Sequence, residues 1–138
     1  MRSIDRIVIH CTATPNGRMT TVADVDLWHK QRGWTGIGYH YLITLDGVAH
    51  KGRDERDIGA HVAGHNAHSI GIALVGTDKF TAAQWVALAL LLREIETRYP
   101  KSAVVGHGDL IGGKKLCPGF SVPEWVACDY AALVDHLL

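Results

Sequence analysis

Residues 39–52, "YHYLITLDGVAHKG", carry the clearest hairpin signal of the chain. Two alternating segments flank Asp46 and Gly47, and this pair readily supplies the positive φ that a tight turn between strands requires. Alternation places Tyr39 and Tyr41 on the same face of the first strand. The stretch therefore predicts an antiparallel strand pair.

Three further apolar runs predict buried strands. They are "RIVIH" at Arg6 to His10, "SIGIALVG" at residues 69–76 and "SAVVGH" at residues 102–107. Two of these runs end in a histidine, His10 and His107. Because sites in open sheets are built at strand ends, both histidines are candidate functional residues.

Three segments predict helices, since each opens with a pair of residues suited to a capping box. The pairs are Thr21 with Asp24, Thr81 with Gln84, and Ser121 with Glu124. Irregular alternation of these helices with strands predicts an α/β fold. We expect one domain spanning residues 1–138, with a mixed central β-sheet flanked by helices.

The composition bears on which classes of partner and which cellular compartment to expect. The chain has 138 residues, and its 14 basic and 14 acidic side chains cancel, so electrostatics gives no argument for nucleic acid or an anionic membrane. The longest apolar run, "WVALALLL", is too short to span a bilayer. Three cysteines make a poor disulfide framework, and the N-terminus lacks the features of a signal peptide. We therefore expect synthesis in a reducing cytoplasm, with Cys11 and Cys128 as buried thiols.

His10, His107 and Cys117 form a candidate metal site. Two imidazoles and a thiolate suit zinc, and three protein ligands leave a fourth position for water, as in catalytic sites. Taken singly, each residue has a simpler interpretation: a strand-end histidine is more often a hydrogen-bonded structural residue, and a cysteine more often a small buried hydrophobe.

Five segments of the chain together resemble a known enzyme family, the zinc N-acetylmuramoyl-L-alanine amidases. The chain is most similar to bacteriophage lysozymes of the amidase type (endolysins), and more distantly to peptidoglycan recognition proteins. The segments are "IVIHCTAT", "WHKQRGWTGIGYHYLI", "DGVAHKGRDERDIGAHVAGHN", "SIGIALVG" and "KKLCPGF", in the family's order between Ile7 and Phe120.

The resemblance implies roles for the matching positions. His10, His107 and Cys117 would hold one zinc ion, and Tyr39 and Lys115 would be catalytic. The implied reaction is hydrolysis of the amide between the lactyl group of N-acetylmuramic acid and L-alanine in peptidoglycan, by zinc-activated water.

A second set of residues lies in loop segments shared with the family. Such groups would contact the acidic stem peptide of the substrate or support the metal ligands. The set consists of Arg53, His61 and Asn66. No aspartate or glutamate is placed by its spacing as a general base.

The alternative function is a peptidoglycan-binding module without catalysis. The related recognition proteins that lack activity commonly lack the metal cysteine, so Cys117 favours the enzyme. Some phage amidases also bind a phage RNA polymerase through an N-terminal extension; only nine residues precede His10, which argues against that partner. We expect a monomer, made in the host cytoplasm and acting on the cell wall after release.

Overall fold

One five-stranded sheet forms the centre of the protein. In the computed structural model, which describes residues 2–112 and 117–138, the strand order is β3-β2-β4-β1-β5. The strands are β1 (Arg6–Cys11), β2 (Tyr41–Ile43), β3 (Ala49–Lys51), β4 (Ser69–Leu74) and β5 (Ala103–Gly106). Strand β1 is parallel to β4 and β5, β2 is parallel to β4, and β2 pairs antiparallel with β3. The prediction of a mixed sheet is confirmed.

The antiparallel pair is the predicted hairpin, and it forms one edge of the sheet. Gly47 has a φ of +79°, and the backbone N–H of Thr44 donates to the carbonyl of Val48 over 3.1 Å. The turn thus uses the positive φ that glycine tolerates.

Helices cover both faces of the sheet, as predicted. They are α1 (Val22–Gln31), α2 (Ala82–Arg98), the one-turn α3 (His107–Leu110), α4 (Val122–Ala127) and a 3₁₀ helix (Val134–His136). Complete capping boxes open α1 at Thr21 and α2 at Thr81. At α4 the hydroxyl of Ser121 accepts from the N–H of Glu124.

The larger core lies between the sheet and α2 with the C-terminal segment. Its largest side chains, Trp85, Trp125 and Phe80, are almost wholly excluded from solvent. A smaller cluster on the opposite face joins Val25 of α1 to Leu42 of β2. Two packed faces hold the strands rigidly, so side chains at their ends have fixed positions.

The prediction that Tyr39 and Tyr41 share one face of a strand is wrong. Tyr39 precedes β2 and packs against the smaller cluster, whereas Tyr41 belongs to the larger core, because the strand begins only at Tyr41.

Two other local predictions are wrong. His107 begins α3 instead of ending a strand, because the Asp109 carboxylate accepts the N–H of Gly106 over 2.7 Å and starts a helical turn. Cys128 is exposed, whereas Cys11 is buried. The three-residue spacing that buries Val122 and Trp125 stops there, because α4 ends before Cys128.

None of the helices in the described parts of the chain has the length and apolar character that crossing a bilayer requires.

Gln84 joins α2 to the sheet, and its removal is expected to destabilise the fold. The buried Gln84 amide donates to the carbonyls of Ile43 and Val75 over 3.2 and 2.9 Å. Gln84→Met would leave both buried carbonyls without this partner, which should lower the free energy of unfolding by about 2–4 kcal/mol. Urea denaturation measures the loss, with exposed Val86→Met on the same helix as control. Equal stability of the two variants would contradict this assignment.

Candidate metal centre

The two predicted histidine ligands meet at one edge of the sheet. His10 lies near the carboxyl end of β1, and His107 directly follows the adjacent parallel strand β5. Parallel neighbours end at the same edge, so their following residues are brought together. The two imidazole ring centroids are 4.8 Å apart.

Cys117 lies at the same edge of the sheet, in a loop that backbone hydrogen bonds hold at two points. Its carbonyl accepts the N–H of Gly108 in α3 over 2.8 Å. Two residues further along, the N–H of Gly119 donates to the carbonyl of Thr77 over 3.1 Å. These backbone bonds hold the Cys117 sulfur beside the histidines.

One donor atom from each of His10, His107 and Cys117 lies within 4.8 Å of the others. His10 Nδ1 is 4.0 Å from Cys117 Sγ. His10 and Cys117 are buried and His107 is half-buried. Two imidazoles and a thiolate are the donor set of a catalytic zinc site, so these residues fit a zinc ion.

The environment of Cys117 favours its thiolate. A hydrogen bond from the Cys11 thiol, whose sulfur is 3.9 Å away, and contacts with the two histidines lower the pKa of Cys117. The backbone N–H of Cys11 also points at the sulfur over 3.4 Å. The same pairing raises the pKa of Cys11. The thiolate is the form that binds metal. Cys117 is therefore suited to be the ligand, and Cys11 donates hydrogen bonds to its sulfur.

His61 contacts the ring nitrogen of His10 that faces away from Cys117. The two histidines are joined by a 2.9 Å hydrogen bond between His10 Nε2 and His61 Nδ1. Burial, with a smaller contribution from the neighbouring His10, lowers the pKa of His61 to about 2. His61 is therefore neutral at physiological pH.

Tyr39 lies beside the ligand cluster. Its ring centroid is 5.2 Å from that of His10 and 5.3 Å from that of His29. His29 Nδ1 accepts the N–H of Gly38 over 2.8 Å, which fixes the backbone just before the tyrosine. Burial raises the pKa of Tyr39, so its hydroxyl stays protonated at neutral pH.

These side chains open into one cleft of about 170 Å³. Its lining includes the three candidate ligands, Tyr39 and His61. Trp34 and Arg32 also line the cleft, with the guanidinium 5.5 Å from the indole centroid. A small polar group can thus reach the metal site from solvent.

Arg53 and Asn66 lie outside the cleft lining. Arg53 donates to the carbonyl of Ile58 over 2.8 Å. The Asn66 side-chain oxygen accepts the N–H groups of His61 and Val62 over 3.0 and 2.9 Å. These contacts shape the loop, and a substrate contact by Arg53, Asn66 or His61 stays a prediction. Lys115 lies outside the described residues.

Two residues near the ligands were not predicted from the sequence. Cys11 supports the Cys117 thiolate, and Ser69, the first residue of β4, contacts His61 with its hydroxyl over 3.2 Å. The role of Cys11 could have been suspected from its position, because it directly follows His10 at a strand end. For Ser69 no local signal existed, since its role depends on the packing of a distant loop.

Comparison with known proteins decides the family. A family model described as N-acetylmuramoyl-L-alanine amidase matches residues 1–120. The chain belongs to this amidase family. Among curated relatives of this amidase-family chain, the endolysin of Enterobacteria phage K11 is 37% identical, with 86% of this chain and 82% of the relative covered. The endolysin of Escherichia phage T7 is also 37% identical, with 89% and 85% covered.

Solved structures agree with that assignment. An endolysin N-acetylmuramoyl-L-alanine amidase, LysCS from Clostridium intestinale, superimposes on the amidase-family chain with a TM-score of 0.82 at 34% identity, covering 92% of this chain and 83% of that one. Drosophila PGRP-LB has a TM-score of 0.81 at 24% identity, covering 97% and 86%, which shows the shared fold.

Proposed function

We propose that this protein is a zinc-dependent N-acetylmuramoyl-L-alanine amidase that cleaves the amide between the lactyl group of N-acetylmuramic acid and L-alanine. The observation that carries the proposal is the convergence of His10, His107 and Cys117 in a cleft that also contains Tyr39. A zinc ion there would supply a Lewis acid and lower the pKa of a bound water toward about 7.

The chain's own residues prepare this site in two ways. Contacts from the Cys11 thiol and N–H favour the thiolate form of Cys117, so metal binding spends less free energy on removing a proton from the sulfur. The thiolate also offsets part of the metal's charge, so we expect a less acidic bound water than in a site built only from histidines.

Tyr39 is proposed as the proton donor and orienting group. A tyrosine hydroxyl is ordinarily protonated at neutral pH, and burial raises the pKa of Tyr39 further. A protonated phenol beside the ligands can donate a hydrogen bond to the attacking water or a proton to the departing amine of L-alanine. Such general acid catalysis contributes roughly 10²- to 10⁴-fold in rate.

Lys115 is proposed to stabilise the negative charge that develops on the carbonyl oxygen, a role that rests on the family resemblance. Removing one such donor costs about 3–4 kcal/mol of transition-state stabilisation. We therefore expect Lys115→Met to lower kcat by about 10²- to 10³-fold. Release of amino groups from purified peptidoglycan measures the rate, and Lys114→Met is the matched control. If both variants lose activity equally, the charge requirement is not specific to Lys115.

A role as an endolysin follows from the same proposal. The relatives from phages K11 and T7 are endolysins. We propose that the protein likewise degrades the host cell wall, with peptidoglycan as its partner.

The reaction is tested on purified peptidoglycan. Cleavage at the proposed bond should release new L-alanine amino termini without new reducing sugar ends. A chelator should stop the release, and added zinc should restore it. Sugar ends without amino termini would make the protein a glycosidase. Binding to the wall that is unchanged by chelator, with no bond cleaved, would favour the binding module.

A further inference from the structure

A continuous chain of hydrogen bonds runs from His10 away from the metal centre. His10 Nε2 lies 2.9 Å from His61 Nδ1, and His61 Nε2 lies 3.2 Å from the Ser69 hydroxyl. The Ser69 hydroxyl in turn donates to the carbonyl of His65 over 2.7 Å. The chain begins at a candidate ligand and ends on the backbone.

The last of these bonds fixes the direction of the others. A carbonyl oxygen can only accept a hydrogen bond, so the Ser69 hydroxyl donates its hydrogen to the carbonyl of His65. Ser69 must then accept from His61 Nε2, which places a hydrogen on that nitrogen. The His61 ring is buried between two glycine backbones and meets the His10 ring edge-on, so its Nδ1 presents a lone pair to His10. That lone pair can only accept, so His10 donates from Nε2.

From this order we propose that His61 and Ser69 are positioning residues that hold the His10 ring with its hydrogen on Nε2 and the Nδ1 lone pair directed at the metal. The inference rests on the proposed zinc site. It extends that proposal by naming the groups that orient one ligand. Partners of this kind usually fix the ring orientation of a metal-bound histidine and raise its basicity.

The position of the His61 ring is tightly defined by its neighbours. A side chain that only fills space would not need such a fixed orientation. An added Cβ at Gly71 would lie 2.6 Å from the His61 ring, and one at Gly59 would lie 2.7 Å from it. The backbone N–H of His61 is bound to Asn66. The ring therefore lies between two glycine backbones, and both of its nitrogens are hydrogen-bonded.

Zinc affinity in a set of variants tests this proposal. His61→Leu removes the acceptor for His10 Nε2 and should weaken zinc binding about 10- to 100-fold. His61→Asn offers an amide oxygen near the position of Nδ1 and should retain affinity within about threefold. Ser69→Ala should weaken binding about three- to tenfold, less than direct loss of the partner. Ser102→Ala, which removes a hydroxyl that donates to Ile4, is the matched control.

NMR of the metal-free protein, labelled with ¹⁵N at histidine, gives a second readout. We expect hydrogen-bonded Nε2–H signals for His10 and His61, and loss of the His10 signal to fast exchange in His61→Leu but not in His61→Asn. Absence of the hydrogen-bonded Nε2–H signal of His10, or equal zinc affinity of His61→Leu and the wild type, would overturn the proposal. Absence of zinc binding by the wild type would refute the zinc site instead, while the NMR assignment still tests the positioning of His10.

Discussion

Cys117→Ser is expected to lose zinc and to lower amide hydrolysis by on the order of 10³-fold or more, because a Lewis acid supplies several kcal/mol of transition-state stabilisation. Serine is neutral at pH 7 and binds zinc poorly, whereas the Cys11 thiol and N–H favour the thiolate form of Cys117. The measurement pairs metal analysis of the purified variant with release of L-alanine amino termini.

Cys128→Ser provides the control for that experiment. Cys128 is exposed and follows α4, so its loss should change neither zinc content nor rate. A folded Cys117→Ser protein with wild-type activity would show that the sulfur is not a working ligand. Circular dichroism distinguishes loss of activity through loss of zinc from loss of activity through unfolding.

Tyr39→Phe should lower kcat by about 10²- to 10⁴-fold while leaving zinc content unchanged. The phenylalanine ring keeps the packing against His10 and His29, whose centroids lie 5.2 and 5.3 Å from that of Tyr39. Only the hydroxyl is removed, so the loss reports on proton donation or water orientation and not on the integrity of the site.

Steady-state amine release measures this change, and Tyr130→Phe serves as the matched variant. Tyr130 lies in the C-terminal segment, where its ring packs on Trp125 and its hydroxyl bonds to Glu96. That substitution should leave kcat unchanged. A Tyr39→Phe enzyme as fast as Tyr130→Phe would remove Tyr39 from the mechanism.

Local sequence signals predicted the elements of this fold well. The Asp46-Gly47 turn and the capping pairs at Thr21 and Thr81 act over a few residues, so their physics is visible in a short window. The order of the strands is different. The insertion of β4 between β1 and β2 depends on packing across the whole sheet, and no local pattern encodes it.

The same contrast applies to the site. His10 and His107 could be found because each lies at the end of an apolar strand run, and the family resemblance then united them with Cys117. The contact between His61 and Ser69 could not be found, because it needs a loop to fold back onto β4. The start of a helix at His107 depends on Asp109, whose capping bond competes with strand continuation.

Metal analysis of the purified wild-type protein, combined with amine release before and after removal of the metal, tests whether His10, His107 and Cys117 act through one ion. The structure predicts one zinc per chain, loss of hydrolysis in parallel with loss of zinc, and recovery when zinc is returned. Undiminished release of L-alanine amino termini by fully metal-free protein would contradict it.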